Sequence, residues 1–419
     1  MKQSKRYLPS ESRRLAAAVF LLCWIAYWST YIGRLNYSAA MAQMTADSVL
    51  TKAQGGQIAT VFFACYGVGQ LLSGFVADRV SPFWMVGAGV ALSAGANWGM
   101  SLPVGTMGLS LFWGCNGIAQ SMVWAPIVRI FSQILPENMR LRASVHINST
   151  VPLGSLAAYL LSALLLRSGN WQGLFRWSAV CLLAVAAVWG VFFFCKRGSF
   201  PREEAAAGPA EKAAEGPRLL PLLALSGVGG ALLPAALHGM LKDGVTTWFP
   251  TFLSEIHATS PDAAVLITGI LPFVNLTGAY LASWLNRKWL RNEMKTASAM
   301  FLLCGIALLG LFLFGQSSRI VFVCAAAVAT TSMFGVNTMV ISVLPMYFGS
   351  QGKASAISGI LNSSAYLGSA VSMAVFGGIA EASGWYAVML LWLGLAVVGT
   401  LAFWVSARKW RRYTEKVCP

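Results

Sequence analysis

The chain has 419 residues, of which 57 % are hydrophobic and only 11 % charged. A soluble domain carries about 25 % charged residues, so this composition excludes one and points to a membrane protein. The net charge of +16 would suit a nucleic-acid partner, but the basic residues sit in short polar gaps between apolar runs, where their partner is the anionic face of a bilayer.

About 20 apolar residues cross the ~30 Å hydrocarbon core. Twelve such runs occur, at 15–41, 56–77, 83–104, 107–134, 143–166, 174–195, 222–253, 263–285, 296–315, 320–347, 354–380 and 385–407. The first is too long for a removable signal peptide and lacks a small-residue cleavage site, so it is read as the first membrane helix. It contains "YWSTYIGRLNYSAAM" (27–41), which places Arg34 deep in an otherwise apolar run. A charged side chain at the bilayer centre costs from about 2.5 to over 10 kcal/mol, and such groups usually face a cavity and mark a transport path. Arg34 is therefore a candidate anion ligand; the competing reading is a structural arginine held by carbonyls or a carboxylate.

After the second segment, "GQLLSGFVADRVSPFW" holds G-x-x-x-D-R, with Gly74 allowing close packing and Asp78 and Arg79 at the helix end. This suits a conformational latch, or a plain turn with a helix-end ion pair. The fifth segment carries "NSTVPLGS" (148–155), and the eleventh carries "NSSAYLGS" (362–369). The shared N-S-[ST]-x-x-L-G-S pattern, on the fifth helix of each half, indicates duplication. Between the halves lies "KRGSFPREEAAAGPAEKAAEGPR" (196–218), whose Ala, Glu, Gly and Pro content reads as a linker. The expected division is an N-terminal tail 1–14, a six-helix bundle 15–195, a linker 196–221, a second bundle 222–407 and a C-terminal tail 408–419.

In the seventh segment, "LHGMLKDGVTTWFPTFL" puts Lys242 at nearly the depth of Arg34, 208 positions on. Two cations facing each other across the bundle interface would clamp an anion, Arg by a two-oxygen fork and Lys as a point charge. Asp243 is the one carboxylate expected deep in a membrane helix; neighbours on a helix point about 100° apart, so Lys242 and Asp243 are not expected to share a partner. Asp243, His146 and His238 are the candidates for a proton relay. With so few, exchange of anions is favoured over proton coupling.

Of the 30 basic residues, 23 lie on the side of the two tails and four (Lys52, Arg167, Arg176, Arg319) on the other, which by the positive-inside rule makes both termini cytoplasmic. The 41 glycines suit helices that pack closely and slide. Trp171, Trp177 and Trp289 are expected in interfacial belts. Eight cysteines without CxxC or ligand spacing give neither a disulfide framework nor a metal site, and no cofactor or nucleophile–base set is seen. The fold expected is all-α: twelve membrane helices in two pseudo-symmetric six-helix bundles, the parallel-repeat transporter plan with its site between the halves.

These residues resemble the major facilitator superfamily, and within it the organophosphate:phosphate antiporters, over nearly the whole chain apart from the tails and linker. G-x-x-x-D-R is a superfamily mark. More specific are Tyr27, Tyr31, Arg34 and Asn36 in Y-x-x-x-Y-x-x-R-x-N, "ADRVSP", "QSMVWAPIVR" and "WFPTFL". The resemblance implies that an arginine from each half grips the phosphate; the first falls on Arg34, the second on Lys242. It carries lining positions to Tyr27, Tyr31, Tyr66, Gln120, Trp124 and Tyr366. This chain departs from the glycerol-3-phosphate carriers in having Thr150 where they have a histidine, Gln70 and Leu35 where they have lysines, and Phe334 for an aromatic hydroxyl. His146, one turn before Thr150, is a candidate substitute. The resulting expectation is a monomeric alternating-access carrier, not an enzyme, that exchanges an organophosphate for inorganic phosphate. Its rivals are a proton-coupled symporter of a carboxylate or phosphonate and a transporter-like phosphate-ester sensor.

Overall fold

The computed structural model describes residues 10–76, 80–135, 139, 143, 146–167, 170–196, 219–348 and 354–417. They trace twelve helical spans. The first half holds α1 (Ser10–Ala46), α2 (Lys52–Val76), α3 (Pro82–Met100), α4 (Thr106–Ile134), α5 (Thr150–Leu166) and α6 (Trp171–Lys196). The second holds α7 (Leu232–His257), α8 (Pro261–Thr268 with Leu271–Leu285), α9 (Glu293–Phe314) and α10 (Arg319–Asn337). A continuous helical run, Ala354–Val417, supplies the last two spans, α11 (354–383) and α12 (385–417), divided at Gly384, whose φ of 76° no helix interior adopts.

Seven of the described stretches are long and apolar enough to cross a membrane, the 354–417 run counting once. The 17-residue α5 is short, and α3, α4 and α7 carry the interior Asn, Gln, His, Lys and Asp side chains that lower their hydropathy. The seventh segment, expected from 222, is broken near its start: Leu219–Ser226 is a separate short helix and Gly227 takes φ 80° before a 3-10 turn, Val228–Ala231. The fifth opens with a 3-10 turn, Ile147–Ser149, since Pro152 has no N–H to close a regular first turn. Trp171 departs from the interfacial belt: it is buried and packs on Phe175, the ring centroids 6.3 Å apart. Trp177 and Trp289 are exposed, as a belt requires.

The two halves share their packing. A Cβ at Gly154 of α5 would stand 2.9 Å from the Trp28 carbonyl of α1, and one at Gly368 of α11 would overlap the Ala236 carbonyl of α7. Gly154 and Gly368 are the matched glycines of the repeated motif, and Trp28 and Ala236 are separated by the same 208 positions as Arg34 and Lys242. Each seam lets a backbone approach that any larger residue would block.

At the end of the molecule that carries both termini, the carboxylate of Glu293 is buried at the start of α9. It accepts from Trp410 Nε1 at 2.7 Å, Tyr347 Oη at 2.8 Å and Asn286 Nδ2 at 3.2 Å, so one acid ties the ends of α8, α9, α12 and the turn after α10. At the opposite, distal end the halves close on each other. Lys52 Nζ lies 3.0 Å from Glu255 Oε2, which also accepts from Trp385 Nε1 at 2.8 Å. The Ala53 N–H donates to Glu381 Oε2 at 2.8 Å, and Arg167 stands 3.8 Å from Asp262.

Candidate functional site

Two faces of α1 do different work. Its inward face is fixed by a polar network. Asn97 and Asn116 donate to the Gly33 carbonyl at 3.2 and 2.7 Å, Gln120 donates to the Thr30 carbonyl at 3.0 Å, and Asn36 donates to Asn97 Oδ1 at 2.7 Å. Buried amides of this kind are costly unless paired, and their pairing sets the rotation of α1. The other face, carrying Tyr27, Tyr31, Arg34 and Ser38, is thereby turned to the seam between the halves, where Ser38 donates to the Thr247 carbonyl of α7 at 2.6 Å.

On that face the Arg34 guanidinium sits 4.5 Å from the Tyr31 ring centroid and 5.8 Å from that of Tyr66 on α2. Across the seam, Lys242 Nζ of α7 is 5.8 Å from the Tyr366 ring of α11. The two tyrosines meet edge to face, centroids 4.8 Å apart. One cation of each half thus rests on an aromatic ring and the rings touch, a geometry in which cation–π attraction is strengthened by exclusion of water. Gln70 donates to Tyr66 Oη at 2.9 Å, orienting that hydroxyl from one turn nearer the termini. Tyr27 lies against Trp124, 4.8 Å, and Tyr31, 5.8 Å. Among the described residues no carboxylate pairs with Arg34, so its charge is balanced only by ring faces.

Lys242 and Asp243 share no third partner among the described residues, but they pair with each other. The Lys242 ammonium lies 3.3 Å from Asp243 Oδ1. The two side chains leave the helix about 100° apart, yet the flexible four-carbon lysine stem is long enough to reach the neighbouring carboxylate. The other oxygen, Oδ2, accepts from Ser369 of α11 at 2.7 Å.

The arrangement gathers Arg34, Tyr31, Tyr66, Gln70, Tyr366 and Lys242, with Tyr27 and Trp124 beside them. Asn36 and Gln120 are not brought to it; they belong to the inward network. Thr150 is buried and its hydroxyl donates to the Ile147 carbonyl at 2.6 Å, and His146 is exposed, its carbonyl accepting from Ser149. Neither joins the cations. Gly74 lies in the last turn of α2, and Asp78 and Arg79 lie outside the described residues. His238, one turn before Lys242, is buried with Nε2 3.0 Å from the Met333 carbonyl of α10. The sequence reading missed Ser369, although it is the closing serine of the repeated motif, and missed Asn97 and Asn116, which no motif marks.

From the Tyr66–Tyr366 pair to the distal end, the halves stay in contact: Thr60 donates to the Ala370 carbonyl at 2.8 Å, and Gly56 and Gly377 pack against the opposite half's Met373 and Lys52 carbonyls. Within the halves, α4 packs on α1, α2 and α3, and α10 packs on α7, α8 and α9.

Comparison with known proteins agrees with this architecture. The family model described as Major Facilitator Superfamily matches residues 23–366. A probable hexose phosphate transport protein of Chlamydia muridarum is 24 % identical over 412 residues, covering 92 % of this chain and 89 % of its own. The glycerol-3-phosphate transporter of Bacillus subtilis is 22 % identical, with 69 % of each chain covered. A bacterial homologue of the human lysosomal transporter Spinster superposes with a TM-score of 0.80 at 16 % identity, covering 97 % of this chain and 99 % of that one, which bears on the fold. With twelve spans, a duplicated half and these matches, the chain is a multi-pass membrane protein that belongs to the Major Facilitator Superfamily and resembles its organophosphate:phosphate antiporters.

Proposed function

We propose that the protein carries a small anionic metabolite, a phosphate ester exchanged for inorganic phosphate, across the cell membrane by alternating access, with both termini cytoplasmic. The observation that carries this reading is the pairing of Arg34 and Lys242 at matched depth on opposite halves, each on a tyrosine that touches the other. An anion bridging the two cations favours the state in which both sides are shut, and that state opens to either side; this is how binding energy lowers the barrier to reorientation. In this reading the distal contacts close the side away from the cytoplasm. With Thr150 and Gln70 uncharged, Arg34 and Lys242 are the cations that hold the phosphate. No chemistry is performed on the cargo.

The test is exchange in reconstituted vesicles. Loaded with inorganic phosphate and given labelled phosphate outside, they are expected to take up label only when phosphate is inside, and to release it to a panel of phosphate esters. Uptake that ignores internal phosphate but follows an imposed pH gradient supports the second reading, a proton-coupled symporter, which the Asp243 carboxylate beside Lys242 favours. Absence of both overturns the carrier of phosphate esters.

A further inference from the structure

Asp243 is the one carboxylate at the depth of the clamp among the described residues, and bridging of an anion between Arg34 and Lys242 does not use it. Its oxygens are nevertheless held on two sides, by Lys242 at 3.3 Å and by Ser369 at 2.7 Å. The side chain is 20 % exposed and Ser369 is fully buried. Ser369 comes from α11, so the acid is fixed by the same helix pair whose glycine seam, Gly239 against the Ala365 carbonyl and Gly368 against Ala236, leaves no slack.

The charged and titratable groups around it are Lys242 and His238 on α7, Tyr366 on α11, Tyr66 on α2 and Arg34 on α1; α10 contributes the Met333 carbonyl, which faces His238 Nε2. His238 Nδ1 is buried without a partner, which disfavours a second ring N–H and so the charged ring. With the phenols and the imidazole neutral, the site's charges sum to +1. In a poorly solvated site a guest that leaves excess charge pays for it in affinity.

We infer that Asp243 is a specificity-determining residue that restricts the site to guests of net charge −1. Such guests are a phosphate monoester carrying one proton, a phosphate diester, a monocarboxylate, or a doubly charged phosphate balanced by its own ammonium. The inference rests on the anion-binding reading of the Arg34–Lys242 pair, but not on the anion being a phosphate. Phosphate monoesters lose their second proton near pH 6, so the same compound changes class across neutral pH.

Two probe pairs separate the charge rule from the phosphate reading: glycerol 3-phosphate with its methyl ester, a permanent monoanion, and succinate with butyrate. Affinities of the purified full chain are measured at pH 8 and pH 6. In whichever pair binds, the singly charged member is expected to bind at least about tenfold tighter at pH 8, and glycerol 3-phosphate itself is expected to tighten by about fivefold or more on going to pH 6. Asp243→Asn, which raises the site to +2, is expected to reverse the ratio, and Asp243→Glu to restore it. A doubly charged probe bound as tightly as its partner by the wild type overturns the inference, and this arm needs no variant to fold. A ratio unmoved in a folded Asp243→Asn does the same. Binding by the carboxylate pair alone overturns the phosphate reading and leaves the charge rule to its own ratio; binding by none of the four removes both.

Discussion

Arg34 and Lys242 occupy matched positions but are not equal partners. Arg34 has rings around it and no acid, while Lys242 has an acid 3.3 Å away. Removing Arg34 deletes the one uncompensated charge at this depth among the described residues. A charge-assisted hydrogen bond is worth about 1.5–3 kcal/mol, so Arg34→Ala is expected to lower anion affinity by at least about tenfold and abolish exchange. Lys242→Ala strips Asp243 of its counter-charge and leaves an acid facing the anion, so it is expected to weaken binding severely; Lys242→Arg is expected to retain it. Normal exchange by Arg34→Ala in the vesicle assay would sink the clamp. These cations were legible in the sequence because charge stands out in an apolar run. The fate of Asn36 and Gln120 was not, because a polar residue on a membrane helix reads the same whether it lines a path or braces a neighbouring helix. Only the partners, Asn97 and the Thr30 carbonyl, separate the two.

Among the elements, the seams of α1 with α5 and α7 with α11 hold the clamp together, and they are made of missing side chains. A Cβ at Gly239 would collide with the Ala365 carbonyl, and one at Gly368 with that of Ala236. Gly239→Val is therefore expected to force α7 and α11 apart and lower the melting temperature of the purified protein. The overpacking cost is on the order of 1–3 kcal/mol, and unchanged melting would show that the seam yields. The same change at Gly310, where a Cβ meets nothing within 4 Å, is the control. Spans were legible from hydropathy almost to their ends; their internal breaks were not. Gly227 and Gly384 interrupt helices by a positive φ that a run of apolar letters does not announce, and α8 is broken after Thr268 at Gly269 and Pro272, whose effect on the helix a hydropathy window passes over.

For the molecule as a whole, the distal closure has a one-sided charge pattern. The first half supplies Lys52, Arg167 and the Ala53 N–H, and the second supplies Glu255, Asp262 and Glu381. Glu381, in the last turn of α11 beyond its apolar run 354–380, has its carboxyl held below its ordinary value of 4.5 by the Ala53 N–H first, then the Thr51 hydroxyl and the Lys52 charge. Its contribution to closure is therefore complete above that ordinary value and is lost as pH on the distal side falls through the lower, latched one. Spin labels across the distal ends of α2 and α11 are expected to separate more often in Glu381→Ala than in the wild type at pH 7, and to separate in the wild type as the pH falls below the ordinary carboxylate range. Identical distance distributions throughout would show that the helix seams alone keep this end shut. The two-half plan was legible from one eight-residue echo and the placement of basic residues. Which end is shut was not, because every residue of the closure reads in sequence as an ordinary loop or helix-end charge.

The meeting of Tyr66 with Tyr366 also decides where an electric field falls. The pair lies fourteen residues along α2 from Lys52, about 21 Å of helix, and that length is packed shut. In a transport cycle whose other end parts while this one stays shut, solution entering from the side of the termini carries that side's potential as far as the tyrosines. The membrane voltage then falls across the closed 21 Å, at about 2.3 kcal/mol per elementary charge per 100 mV. In that state an anion reaching Arg34 crosses little of the drop, and its affinity is expected to be nearly indifferent to voltage. The full electrical work is then done in the step that shifts the packed layer from one side of the cargo to the other.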